Sequence, residues 1–184
     1  VAGNIYGSLL YGDNMMGAYV SDKNVRKFTL EDVKAYYEQN YSPSVAKVVV
    51  VGDVSQQEIM PKLAFLENWK AKEVKMPAIT VQMNQQTTTI YLSHKENAAQ
   101  SVLYIGHPGL KYDATGDFYR CTLMNFPFGG AFNSRLNLNL REAKGYTYGI
   151  RSGFSGDKFN GDFSIRASVK RSATDTSITE VMKD

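Results

Sequence analysis

One cysteine, Cys121, stands in the whole sequence, so no disulfide forms within the chain. It falls in an apolar, helix-like stretch and reads as a small buried apolar residue. The lack of disulfides fits the cytoplasm and leaves the periplasm open. Histidine is almost as scarce. His94 and His107 are the two present, at the ends of different expected strands. Neither belongs to a motif that sets two imidazoles on one helical face, so the residues predict no metal site in this segment. No apolar run reaches the ~20 residues that a membrane-spanning helix needs. No signal peptide is visible. Dominance of one charge sign is missing too. Twenty-one basic and 18 acidic residues leave +3, with Lys and Glu interspersed and no basic run, which argues against nucleic-acid binding. Ser134 and Ser152 have no adjacent base, and Asp113, Asp117 and Glu142 form no evident pair. Neither nucleophilic nor acid–base catalysis by this segment alone is therefore expected.

What remains is ordinary globular usage, 43% hydrophobic and 21% charged over 184 residues, enough for one sizeable core. The chain starts Val-Ala-Gly and ends inside a helical pattern that has no stop signal. It reads as a single domain, residues 1–184, excised from a longer protein, with 1–28 as a lead-in segment and no internal repeat. Ile5, Leu9 and Leu10 make that lead-in partly helical, up to a turn at 11–14.

Thr29 three residues before Asp32, with Leu30, Val33 and Tyr37 at helical spacing, predicts a capped helix. It ends near Asn40, because Pro43 holds Ser42 extended. The unbroken valines of 46–54 predict a strand buried on both faces. Ser55 and Glu58 form a second capping box, leading into Ile59, Leu63 and Leu66. Pro61 inside this pattern calls for a later start or a kink. A polar loop follows at 70–77. Alternation predicts strands at 79–94, with a break near Gln85-Gln86, and at 101–106, closed by His107-Pro108-Gly109. Residues 113–126 read as a helix with Phe118, Cys121, Thr122 and Asn125 on one line. Phe163, Ile165, Ala167 and Val169 alternate with polar residues in a half-solvated antiparallel strand. Thr174 or Asp175 caps the last helix. This order predicts an α+β fold, a mainly antiparallel sheet with helices packed on one face.

The most informative stretch is 128–149, FGGAFNSRLNLNLREAKGYTYG. Gly129-Gly130 opens a helix as a tight turn with close packing, since neither a P-loop nor a dinucleotide fingerprint surrounds it. Phe132, Leu136 and Leu140 step by four along one helical side. Gly145 stops the helix, and a Tyr-rich strand begins at once. Reversal there lets Arg141 and Tyr148 converge, a guanidinium fork beside a phenol, suited to a peptide carbonyl or carboxylate. From the residues alone, Arg141 also suits the helix C-terminal carbonyls. Tyr148 shares a parity with Tyr146 and Ile150, so it suits the core equally. Arg151 is a third positive candidate on the opposite parity.

Leu140-Arg141-Glu142, Gly145 and Tyr148 resemble the signature of the insulinase/pitrilysin (mitochondrial processing peptidase-like) zinc peptidases. The pattern of helix, Tyr41-Ser42-Pro43, then an apolar run to Val51-Gly52-Asp53 is similar to the same family over roughly residues 25–180. Residues 14–17, Asn-Met-Met-Gly, depart from the family's pattern. The metal motif of that family is His-x-x-Glu-His, which this chain lacks. The resemblance implies the same α+β architecture and the second, zinc-less kind of domain. It implies the substrate-binding half of a zinc-dependent metalloendopeptidase acting on peptides or unfolded polypeptides. Arg141 and Tyr148 would then be the catalytic and substrate-binding residues, holding the substrate backbone. Zinc would sit in another domain of the same chain or in a partner subunit, and substrate would pair as an added strand on a sheet edge. The segment alone would be inactive. The alternative is a non-catalytic scaffold or partner subunit of the same family.

Overall fold

The computed structural model describes residues 1–12, 14–75 and 87–184. In chain order the elements are α1 (Ala2–Tyr11), α2 (Asp22–Val25), α3 (Leu30–Asn40), α4 (Gln56–Leu63), β1 (Gln100–Pro108), α5 (Asp117–Asn125), α6 (Arg135–Asn137), β2 (Thr147–Gly156), β3 (Gly161–Lys170) and α7 (Thr174–Lys183). They fall into two compact units, Val20–Ala78 and Val1–Tyr19 with Ile79–Asp184.

In the smaller unit both capping boxes form. Thr29 Oγ1 accepts from the Asp32 N–H at 3.2 Å, while the Asp32 carboxylate accepts from the Thr29 N–H at 2.8 Å. Ser55 and Glu58 repeat the arrangement and start α4 at Gln56, ahead of Pro61. The α-helix runs through that proline, ends two residues after it and tightens into a 3₁₀ turn over Ala64–Asn68. Ser42, held extended before Pro43, is fully buried. Its Oγ donates to the Lys72 carbonyl at 2.8 Å and accepts from the Lys72 N–H at 2.9 Å, which pins the polar loop. The strand expected over 46–54 is absent. Val49 and Val51 are 83% and 92% exposed, and no strand lies beside them among the described residues to satisfy their backbone groups. Of the strand expected over 79–94, residues 79–86 lie outside the described residues, and 87–94 have no regular structure.

The larger unit carries an antiparallel sheet ordered β1-β3-β2, confirming the α+β class. In β3 the alternation works as expected from Ile165 on, whereas Asp162 and Ser164, expected on the solvated face, are buried. Ile165, Ala167 and Val169 face inward, while Arg166, Ser168 and Lys170 are exposed. Leu136 and Leu140, both without solvent exposure, pack on that inner face with Ile150 and with Val181 of α7. Each fully buried leucine contributes about 1.5–3 kcal/mol. Phe132 does not join them. It precedes α6, whose first residue is Arg135, and is 63% exposed. The earlier helix starts at Asp117, later than expected, because Asp113 is used in a turn with Thr115 and Gly116. Cys121 is half-buried. No side chain caps α7, since Thr174 lies inside it and reaches the Ser101 hydroxyl at 2.8 Å.

A further helix lies against the opposite face of the sheet. Tyr6 of α1 donates to Asp162 Oδ2 at 3.3 Å and Tyr11 to Oδ1 at 3.0 Å, and Asp162 is buried. Burial, then the neighbouring carboxylate, holds both phenols well above their ordinary value of 10.0. A raised phenol pKa stabilises the fold below pH ~10 and loses that contribution as the pH climbs through the raised value. The melting temperature is expected to fall above pH ~10, and to fall less in Tyr6→Phe, a comparison that thermal melts from pH 8 to 11 make directly. Asp162→Asn removes one acceptor and the charge. At neutral pH it is expected to lower stability by about 1–2 kcal/mol, allowing for partial exposure of the phenols.

Candidate functional site

The site candidates flank the junction between α6 and β2. From Leu138 to Ala143 the helix widens into a π turn, which ends as Gly145 expects. Gly145 adopts φ +61°, its N–H donating to the Arg141 carbonyl at 3.1 Å and that of Tyr146 to the Leu140 carbonyl at 2.9 Å. The last carbonyls are thus satisfied by backbone, leaving the Arg141 side chain free of that duty. Its guanidinium lies 4.1 Å from the centre of the Phe132 ring. Exposed Phe132 therefore serves as a platform for a cation. Arg141 Nη1 is 3.1 Å from Glu142 Oε1, an ion pair off the hydrogen-bonding direction. This buried nitrogen has no hydrogen-bond acceptor among the described residues.

Across the turn, β2 opens with a bulge. Thr147 faces Val169 and Ile150 faces Ala167, so Tyr148 and Gly149 together oppose one residue of β3. Positions three apart point to opposite faces of an unbroken strand. The extra residue turns both Thr147 and Ile150 inward, at 8% and 1% exposure, and ejects Tyr148, 92% exposed, into solvent. The shared parity of Tyr146, Tyr148 and Ile150 therefore does not hold, and Tyr148 is not core. The bulge is well tied. Thr147 Oγ1 lies 2.7 Å from the Ser168 carbonyl and accepts from the Gly149 N–H at 3.1 Å, and the Ile150 N–H donates to Asn137 Oδ1 at 3.0 Å.

Arg141 and Tyr148 thus sit on the two arms of one reversal. No hydrogen bond or ring contact joins their side chains among the described residues. Arg151 is exposed and donates from Nη1 to the Gly130 carbonyl at 3.3 Å.

Two asparagines that sequence reasoning left without a role prove central. Asn137, 2% exposed, holds the bulge. Asn125, 5% exposed, donates from Nδ2 to the Ser152 carbonyl at 2.9 Å and accepts from the Ser152 hydroxyl. Together they take up one backbone group each, the Ile150 N–H and the Ser152 carbonyl, on the side of β2 away from β3. Their signal in the sequence is weak, a polar residue breaking an apolar helical side.

Gly129 is close-packed as expected, but Gly129-Gly130 does not open the next helix: the pair ends a π-helical turn, Phe126–Gly130, that continues α5, and α6 starts only at Arg135. A Cβ on Gly129 would lie 2.1 Å from Ser152 Oγ and 2.8 Å from Leu136 Cδ1. An open, apolar cavity of about 390 Å³ lies between Met124, Asn125, Phe128, Phe154, Phe163 and His107. Its one imidazole commits Nδ1 to the Pro108 carbonyl at 2.7 Å. Among the described residues no three His, Cys, Asp or Glu side chains gather as a metal site, so a zinc ion has no fitting ligand set there.

The sequence model described as the peptidase M16 inactive domain matches residues 27–184. An uncharacterized zinc protease of Streptomyces coelicolor is 24% identical over 180 residues, covering 92% of this chain and 38% of the relative. An uncharacterized zinc protease of Bacillus subtilis is 24% identical over 157 residues, covering 84% of this chain and 37% of the relative. The chain therefore spans well under half the length of the curated relatives it matches. Among solved structures, a peptidase M16 inactive domain from Pseudomonas fluorescens superposes with a TM-score of 0.82 at 22% identity, over 99% of this chain and 44% of that one. A protease from Helicobacter pylori gives 0.74 at 20% identity, over 88% and 40%.

Proposed function

The chain belongs to the peptidase M16 inactive-domain family, and on that premise we propose that it is the substrate-holding part of a zinc-dependent metalloendopeptidase acting on peptides or unfolded polypeptides. The observation that carries this reading is the presentation of Tyr148, a phenol almost wholly in solvent on a backbone fixed from both sides. An exposed tyrosine on a rigid bulge offers a donor without reorganisation. Arg141 supports the reading with a guanidinium seated on Phe132 and a buried N–H group that lacks an acceptor among the described residues. Such a group is costly unless something outside the chain uses it. Arg141 and Tyr148 would take the carbonyl oxygens of an extended substrate backbone. Zinc would be held outside this segment, by another domain of the same polypeptide or by a partner subunit.

The test uses the complete protein, together with any partner subunit, and an unstructured peptide. Arg141→Leu is expected to raise KM about 10-fold, the loss of one charge-assisted hydrogen bond. Unchanged kcat/KM would overturn the assignment. Intact, peptide-binding protein that cleaves nothing would leave a scaffold of the same family.

A further inference from the structure

The cover over the inner face of the sheet stops short at one end. Leu136, Leu140 and Val181 pack over Ile165, Ala167 and Val169, but the row beyond Ile165 stays partly open. That row runs across the sheet, with His107 of β1 beside Phe163 of β3 and Phe163 beside Phe154 of β2. Centre to centre, the Phe163 ring lies 4.9 Å from Phe154, 5.7 Å from the imidazole and 6.5 Å from Phe128, which forms a side wall. Between them lies the open cavity of about 390 Å³, with Met124 of α5, 64% exposed, at its mouth. The walls are held without a guest. Phe154 and Phe163 stand on paired strands, Phe128 precedes the close-packed Gly129, and Asn125 is tied to Ser152. The Asn125 amide spends both its ends on Ser152, and His107 Nδ1 is spent on the Pro108 carbonyl. What faces the cavity is therefore nearly all ring and hydrocarbon, and among the described residues no Asp, Glu, Lys or Arg lines it. A preformed hollow near the small end of ligand pockets, roughly 300–1,000 Å³, takes one side chain and not a helix. Ring faces, ring edges and a thioether together favour an aromatic guest. The cavity also shares a strand with Tyr148. Phe154 stands six residues further along β2, a span of about 20 Å that a short extended peptide covers.

We propose that this cavity binds one aromatic side chain, Phe, Tyr or Trp, of the peptide whose backbone Arg141 and Tyr148 hold. The site rests on the peptide-holding reading above and adds a preference to it, aromatic over small side chains at one position. Binding removes the guest's ring from water and sets it against rings already fixed in place, so little ordering cost falls on the protein.

Two end-capped, fluorescently labelled unstructured peptides test this by anisotropy on the complete protein, together with any partner subunit and with turnover suppressed by a chelator. They are equal in charge and length, one carrying a single phenylalanine and the other alanine in its place. The phenylalanine peptide is expected to bind roughly 10-fold tighter, the low end for burying that side chain, because the cavity is open. The ratio is expected to persist at about 0.5 M salt, since no charge takes part. Met124→Trp puts one of the chain's own rings at the mouth and is expected to bring the ratio to within about twofold. Met124→Glu, a charge at the same exposed position, is expected to do likewise and serves if the tryptophan variant melts well below the parent. Equal binding of the two peptides overturns the site, as does a phenylalanine preference that survives in both variants. If the peptides bind equally and Arg141→Leu weakens both, the cavity fails alone and is a place where other polypeptide packs. If neither peptide binds, the peptide-holding reading fails with it.

Discussion

Tyr148→Phe in the complete enzyme is expected to lower kcat by about 10²-fold, the lower range for removing one preorganised donor near a reacting carbonyl. The melting temperature and KM are expected to stay nearly unchanged. This combination follows from where the residue sits. Its ring is 92% exposed, so deleting the hydroxyl removes no packing and leaves no buried group without a partner. The backbone that presents it is tied by Thr147 and Asn137 through contacts that do not involve the phenol. A drop in kcat without a drop in stability marks an interaction made in the transition state. Steady-state turnover on an unstructured peptide, with a thermal melt of the same preparation, reads both. Unchanged turnover removes Tyr148 from the reaction, and a lowered melting temperature assigns the residue to structure.

The second large effect concerns stability. Gly129→Ala is expected to destabilise the protein by about 2–4 kcal/mol, combining overpacking with damage to a buried polar pair. The new methyl would fall 2.1 Å from Ser152 Oγ and 2.8 Å from Leu136 Cδ1. Ser152 cannot simply rotate away, because its hydroxyl bonds Asn125, whose own amide holds the Ser152 carbonyl. Leu136 has no exposed surface into which to move. Gly153→Ala, also on β2 but with nothing within 4 Å of its added methyl, is the control and is expected to stay within about 0.5 kcal/mol. Denaturant unfolding of the two variants decides the matter. Equal midpoints would show that the turn at Gly129 yields where the packing says it cannot.

Much of the larger unit was legible before any coordinates. The alternation from Phe163 to Val169 gave β3 its inward and outward faces, and Leu136 and Leu140 announced the helix that packs on it. Gly145 marked the reversal, because a left-handed residue is cheapest as glycine. Local chemistry also placed the caps at Thr29 and Ser55. What could not be read are the features decided by partners remote in sequence. Counting by twos put Tyr148 beside Ile150 on one face. The bulge that separates them depends on the Asn137 amide reaching the Ile150 N–H, thirteen residues on. Phe132 fits the helical spacing of Leu136, yet it lies before the first turn and supports Arg141. Val48–Val51 carry strong β-propensity, but propensity forms no strand without a ladder to join. The row of His107, Phe163 and Phe154 is a matter of register, which no strand encodes by itself.

The two amides along β2 have one more effect. A bare strand margin is a template on which another copy, or any loose polypeptide, can crystallise into a growing fibril. Two of its groups, the Ile150 N–H and the Ser152 carbonyl, are already taken by Asn137 and Asn125, side chains that nearly vanish from the surface. On the peptide-holding reading proposed above, this flank would resist turning a bound extended chain into a permanent extra strand.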